Sequence, residues 1–206
     1  MDLQLYLTAF VTLFVVIDPI GLTPIFIALT PGQSGMERRR IGARSLIIAA
    51  VLLTLFGLTG DAILSAIGIS ISAFRIAGGL LLFLTALDML FERRTERREG
   101  QAEGENHADD PSVFPLAMPL LAGPGALATM ILLVGENRGL GHVVMVHLMM
   151  LNVLGICMVL FALATPLARA LGRTGVMVVT RLLGMLLAAL SVQFVIDGLR
   201  GSGLFG

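Results

Sequence analysis

Long apolar runs alternate with short polar stretches along the chain. The runs cover roughly Gln4–Thr30, Ile41–Gly60, Ile71–Phe91, Val113–Val134, His142–Thr165 and Met177–Leu199. A helix needs about 20 predominantly apolar residues to cross ~30 Å of hydrocarbon, so each run predicts one membrane-spanning helix. Barrel strands would be shorter and alternate with a period of two, a pattern these runs lack. The expected class is an all-α membrane protein with six transmembrane helices. The first run opens at Met1-Asp2 with no positive region ahead of it and is too long for a signal sequence, so it is expected to stay as a span. Ser34 and Glu37 have capping-box spacing at the start of the second helix.

Two of the runs are interrupted. A straight helix over Gln4–Thr30 would be about 40 Å long, and it holds Asp18, Pro19, Gly21 and Pro24. Proline breaks a helix interior but suits its first position, and aspartate suits the N-cap before it. Asp18-Pro19 therefore predicts a second half-helix starting inside the membrane. Gly123-Pro124 predicts the same in the fourth run, with Pro115 and Pro119 loosening the chain before it.

The halves of the chain resemble each other. Residues 18–26 (DPIGLTPIF) align with 123–131 (GPGALATMI) at an offset of 105, and 75–81 (RIAGGLL) with 181–187 (RLLGMLL) at 106. Three spans per half is an odd number, so the second half must enter from the opposite face. The expected architecture is two inverted three-helix repeats, residues 1–91 and 113–206, joined by a charged, solvated cytoplasmic linker over 92–112, with the first and fourth segments broken at mid-membrane.

Composition fits this picture. Hydrophobic residues make up 56% and charged residues 14%, with a formal net charge of zero. Such a chain cannot cover itself with polar groups, which excludes a soluble monomeric enzyme, and the absence of a basic excess argues against nucleic acid as partner. A single cysteine, Cys157, excludes a disulfide framework, and no Cys/His spacing suits a metal. No catalytic nucleophile, cofactor loop or metal set is expected. Every basic residue is arginine. Arg38, Arg39, Arg40, Arg44, Arg93, Arg94, Arg97, Arg98, Arg169, Arg173 and Arg181 fall on one side of the six-span layout; Arg75, Arg138 and Arg200 fall on the other. The richer side is expected to be cytoplasmic, with both termini outside.

Non-helical backbone at membrane depth is tolerated only inside protein or against a polar cavity. Half-helix N-termini carry unpaired amides and roughly half a positive charge, which attracts anions such as a substrate carboxylate. Matched breaks of this kind are the best sequence pointer to a transporter site. The candidate binding residues are Asp18, Pro19, Gly21, Thr23, Gly123, Pro124, Gly125 and Thr129, with Asn152 and Gln193 as polar groups in the fifth and sixth spans. Asp18 is also the candidate for ion coupling. Capping of Gly21 or a neighbouring amide and titration with a proton or sodium ion are both open readings. The bland readings are that Asn152 and Gln193 bond between helices, that Arg75 and Arg181 snorkel to headgroups, and that Asp88 and Asp197 are solvated at span ends. Gly78, Gly79, Gly184 and Ala188 permit close helix contact.

The stretches LFVVIDPIGLTPIFIALTPG, FPLAMPLLAGPGALATMILL and RLLGMLLAALSVQFVIDGLR resemble the MarC family of bacterial inner-membrane proteins across nearly the whole chain. The resemblance implies transport of small neutral amino acids, since an archaeal branch moves glycine and alanine, and a place in the bacterial inner membrane. It supplies no binding residues. The expected function is a secondary transporter of such amino acids, coupled to a proton or sodium ion, with the lipid bilayer and other copies of the chain as candidate partners. The alternatives are an exporter or channel for another small solute or ion, and a non-transporting membrane scaffold.

Overall fold

The computed structural model describes residues 3–93, 98, 110–137 and 139–203. Among these it is helical throughout, with no strand. Helices α1 (Leu3–Ile17) and α2 (Pro19–Leu29) form the first broken segment, followed by α3 (Gly35–Ala66) and α4 (Ile71–Leu90). The second half runs through a loosely wound segment (Ser112–Leu121), then α5 (Pro124–Gly135), α6 (Leu140–Ala162) and α7 (Ala164–Gly201). Most of the 92–112 linker, and Arg138, lie outside the described residues.

Local chemistry sets the element ends. Ser34 caps α3 in a full capping box with Glu37, whose carboxylate is held below its usual range by the Ser34 hydroxyl and amide. Helix α3 closes at Gly68, whose φ of 77° carries a glycine more readily than any other residue. Ser70 caps α4 through the Ala73 amide at 3.1 Å. In Ser112–Leu121, Pro115 and Pro119 withdraw two donors, Phe114 and Met118 are extended, and both X-Pro bonds are cis. What bonding remains is wide: the Leu116 amide donates to the Pro111 carbonyl and the Ala122 amide to Ala117. The segment meets α5 at a 58° bend. Gly172, at φ 60° and ψ 178°, puts a corner in α7 between Arg169 and Arg173.

Five helical stretches are long and apolar enough to cross a membrane, or six if the bent pair is counted as one span. The broken first segment is 67% buried, against 28% or less for α3, α4, α6 and α7. The fractured pieces thus form the centre and the long helices form the wall. Leu13, Ile17, Leu22 and Phe26 from the first break meet Leu116, Leu121, Met130 and Leu132 from the second in one continuous core. Outward faces are apolar, as in the α3 stripe of Ile47, Val51, Leu55 and Leu58. A patch of that extent suits lipid and would aggregate in water.

Glycines fix how the wall packs. A Cβ on Gly79 of α4 would lie 2.8 Å from the Ser191 carbonyl oxygen of α7, one on Gly184 would lie 2.9 Å from the Met89 Cβ, and one on Gly198 would lie 2.9 Å from the Ser72 carbonyl oxygen. As the α7 partner advances, the α4 partner retreats, so α4 and α7 run antiparallel. Helices α3 and α6 do the same: Gly42 sits against Phe161, and Gly57 against His147. Helix α5 packs on α3 and α4, and α2 packs on α6 and α7.

The arginines at the heads of the third and sixth runs are not simply snorkelling. Arg75 pairs with Glu136 at 3.5 Å, and Arg181 pairs with Glu92. Each carboxylate ends a neighbouring segment, so the charge is used between elements rather than given to headgroups alone. Burial raises the Glu136 carboxyl above its usual range, against the opposing pull of Arg75.

Candidate functional site

The first break is built on Asp18. Its backbone is left-handed (φ 57°, ψ 65°), a conformation aspartate tolerates better than most residues. Its Oδ1 accepts from the Gly21 amide at 3.0 Å, and Pro19 follows at the first helical position. A Cβ on Gly21 would lie 2.1 Å from the Asp18 Oδ2, so any larger residue there would displace that carboxylate. The sequence expectation of an N-cap on Gly21 is met. The expectation of an open, anion-ready end on α2 is not, because the protein's own carboxylate already occupies it.

A second group completes this break, and sequence reasoning missed it. Arg98 was expected in a solvated linker, yet it is buried, with a side chain only 7% exposed. Its Nη1 donates to Asp18 Oδ2 at 3.3 Å and its Nη2 to the Ile17 carbonyl at 3.2 Å. The Ile17 carbonyl is one that the broken helix α1 leaves over, so one guanidinium neutralises Asp18 and satisfies the fracture. In the sequence Arg98 is one arginine among four in a charged run, and nothing local marks it.

The second break is different. Gly123, in extended backbone, gives α5 no side-chain cap. A Cβ on Gly123 would meet the Pro119 carbonyl oxygen at 2.6 Å, which fixes glycine there. Pro124 has no amide hydrogen, so the first donors at the end of α5 are the amides of Gly125 and Ala126. This end borders a cavity of about 260 Å³. Gly123, Pro124, Gly125 and Ala126 form one wall; Thr85, Asp88 and Arg98 line the rest together with the apolar Val16, Pro119, Leu120 and Leu121.

The two breaks are neighbours. A Cβ on Gly125 would sit 3.3 Å from Val16, two residues before Asp18, and Arg98 touches both Asp18 and the cavity. Thr23 and Thr129 are buried one turn into α2 and α5, donating to the carbonyls of Pro19 (3.0 Å) and Gly125 (2.8 Å). They buttress the half-helices from within. Asn152 and Gln193 do not join the site. Asn152 is exposed on α6 and donates to the Leu148 carbonyl, and Gln193 is exposed on α7 and donates to Asp197. Neither crosses to another helix or reaches the cavity. Asp88, near a span end and partly exposed, lines the cavity.

At the linker's C-terminal end, Asp110 is tied to α3. Asp110 accepts from the Ser112 hydroxyl and amide and pairs with Arg44 of α3. The Ser112 hydroxyl, with the Ser112 amide and Arg44, holds the Asp110 carboxyl below its usual range.

The chain is 42% identical over 201 residues to a UPF0056 membrane protein of Archaeoglobus fulgidus, covering 96% of this chain and 93% of that one. It is 38% identical over 205 residues to a UPF0056 membrane protein of Methanocaldococcus jannaschii (98% and 99%). The UPF0056 membrane protein YhcE of Escherichia coli is 33% identical over 202 residues (97% and 94%). No solved structure matches the chain. The pattern described as MarC family integral membrane protein covers residues 3–202. With multi-pass helices around two fractured segments, this chain belongs to the MarC family of integral membrane proteins.

Proposed function

We propose that the protein is a secondary transporter of small neutral amino acids, and that the cavity at the start of α5 holds the substrate. The observation that carries this reading is an uncapped half-helix end, half-buried at Gly123 and Gly125, that borders a hollow lined by both polar and apolar residues. Such an end receives a carboxylate on the Gly125 and Ala126 amides, with the Arg98 guanidinium beside it. A volume of about 260 Å³ equals roughly eight or nine water molecules at ≈ 30 Å³ each, which suits a small solute and excludes a bulky one.

The transport cycle rests on two three-span repeats of opposite orientation, counting each broken segment as one span. The equivalent helices α3 and α6 run antiparallel, as do α4 and α7, which supports inversion. The packing pattern also maps onto itself when the halves are exchanged. Helix α3 packs on α5 as α6 packs on α2, and α4 packs on α5 as α7 packs on α2. One repeat rocks against the other, and the cavity opens to each side in turn. The arginine-rich face is assigned to the cytoplasm of a bacterial inner membrane, with both termini outside. Coupling to a proton or sodium ion is assigned to Asp18, where the arriving cation competes with Arg98.

Purified protein in proteoliposomes is expected to accumulate labelled alanine or glycine under an imposed proton or sodium gradient. Absence of both uptake and exchange for every small neutral amino acid would overturn the reading. Asp18→Asn is expected to keep exchange and lose gradient-driven accumulation, and unchanged accumulation would leave Asp18 a purely structural cap.

A further inference from the structure

The cavity lies toward the C-terminal end of α4, and a closed seam separates it from the other end of that helix. The seam is the contact of α4 with α5. A Cβ on Gly125 would be 3.3 Å from Leu82 Cδ2, one on Gly78 would be 3.0 Å from Leu132 Cδ1 and 3.9 Å from the Ala128 Cβ, and one on Gly135 would be 3.2 Å from Ile71 Cδ1. As α5 advances, its α4 partner retreats, so the two helices run antiparallel and stay in contact from the cavity to the Arg75 end of α4. Ten residues of α5 cover about 15 Å, roughly half the ~30 Å of hydrocarbon.

Two features suit this contact to parting. Each of its steps has a glycine or alanine on one side. Small residues let helices approach closely, and they leave no side chain to be drawn out of a socket when the helices separate. The second feature is a single ion pair at the far end, between Arg75 of α4 and Glu136 just past α5, at 3.5 Å with side chains 20% and 26% exposed. This distance is at the limit of a hydrogen bond, and the buried Arg75 Nε meets no acceptor among the described residues. The end of α5 is also held within its own half, where the His142 ring Nε2 at the start of α6 lies 2.8 Å from the Leu133 carbonyl oxygen. The Arg75–Glu136 pair instead crosses from one half of the chain to the other.

We infer that the α4–α5 seam is the substrate's route from the cavity to the membrane face opposite the arginine-rich loops, and that the Arg75–Glu136 pair is the clasp that keeps it shut. The structure is then the state closed on that face. This rests on the transport reading above and adds the place where the site opens.

The 3.9 Å between a Gly78 Cβ and the Ala128 Cβ falls within the ~3.5–4.5 Å that a disulfide spans, so the seam can be locked. In proteoliposomes, Gly78→Cys/Ala128→Cys is expected to take up alanine when reduced, to lose at least tenfold in rate on oxidation with copper phenanthroline, and to recover with dithiothreitol. Each single-cysteine variant is expected to ignore the oxidant. Uptake by the fully cross-linked protein within twofold of the reduced rate overturns the route. A second readout needs no transport. In micelles, the thiol of Ala128→Cys is expected to react with N-ethylmaleimide at least tenfold faster once Glu136→Gln is added. It is expected to return within threefold when Arg75→Glu and Glu136→Arg are combined. A rate in Glu136→Gln within threefold of Ala128→Cys alone, or no rescue by the exchanged pair, overturns the clasp. A wild type that moves no amino acid overturns the transport reading and the route with it, while the labelling rates still decide the clasp.

Discussion

The Asp18–Arg98 pair is the feature on which the first break depends, and Asp18→Asn isolates it. Asparagine caps a helix about as well as aspartate and tolerates the left-handed backbone at φ 57°. The Gly21 bond is therefore kept and only the charge is removed. What remains is a guanidinium buried beside a neutral amide, its side chain 7% exposed. Breaking a buried ion pair from one side costs roughly 3–5 kcal/mol, because the surviving charge loses its compensation. Asp18→Ala adds the lost cap, about 1 kcal/mol, and the left-handed backbone cost of about 1–2 kcal/mol. Arg98→Met should cost about as much as Asp18→Asn, since it strands the carboxylate. The double variant should fall short of the summed losses by roughly 2–3 kcal/mol. Reversible unfolding in mixed micelles, followed by circular dichroism, measures all four corners of this cycle. Asp18→Asn within about 0.5 kcal/mol of wild type, or strict additivity in the double variant, would refute the reasoning.

Helix packing and pH give further tests. Gly79→Ala would press a Cβ onto α7 backbone at 2.8 Å, so it should destabilise by about 1–3 kcal/mol; Gly155→Ala, with nothing within 4 Å, should be neutral or stabilising in the same unfolding assay. Equal effects at the two glycines would contradict the α4–α7 contact. Asp110 has a depressed carboxyl, so its contribution should be complete above its ordinary value of 3.8 and vanish as pH falls through the lower folded value. Melting temperatures of wild type and Asp110→Asn should therefore differ by a constant amount above that pH and converge below it; a gap that persists at the acid end would sink the assignment to charge. Gly21→Ala should unseat the Asp18 carboxylate, which would lie 2.1 Å from the new Cβ, and should melt earlier than wild type by at least as much as Asp18→Asn.

The all-helical, membrane-spanning class was legible because membranes limit the vocabulary. Apolar length marked the spans, and the Asp18-Pro19 and Gly123-Pro124 pairs marked the half-helix starts within a residue. The capping box at Ser34 was read correctly for the same local reason. The site was legible only in part. Sequence symmetry suggested two equivalent anion-binding ends, but Asp18 fills its own end while Gly123 cannot, so one residue difference decides which end is open. Arg98 looked like a solvated linker charge and Asp88 like a span-end charge. Their places beside the breaks come from tertiary packing, which no local pattern encodes. Asn152 and Gln193 were candidates only as polar groups within spans, for substrate or for bonding between helices; each instead satisfies itself along its own helix.

A structure of the protein determined with bound alanine tests the central claim most directly. The account predicts the carboxylate within ~2.7–3.2 Å of the Gly125 or Ala126 amide nitrogen, in the hollow between the start of α5 and the end of α4. Alanine bound elsewhere, or an α5 terminus closed by protein groups with the ligand excluded, would contradict it.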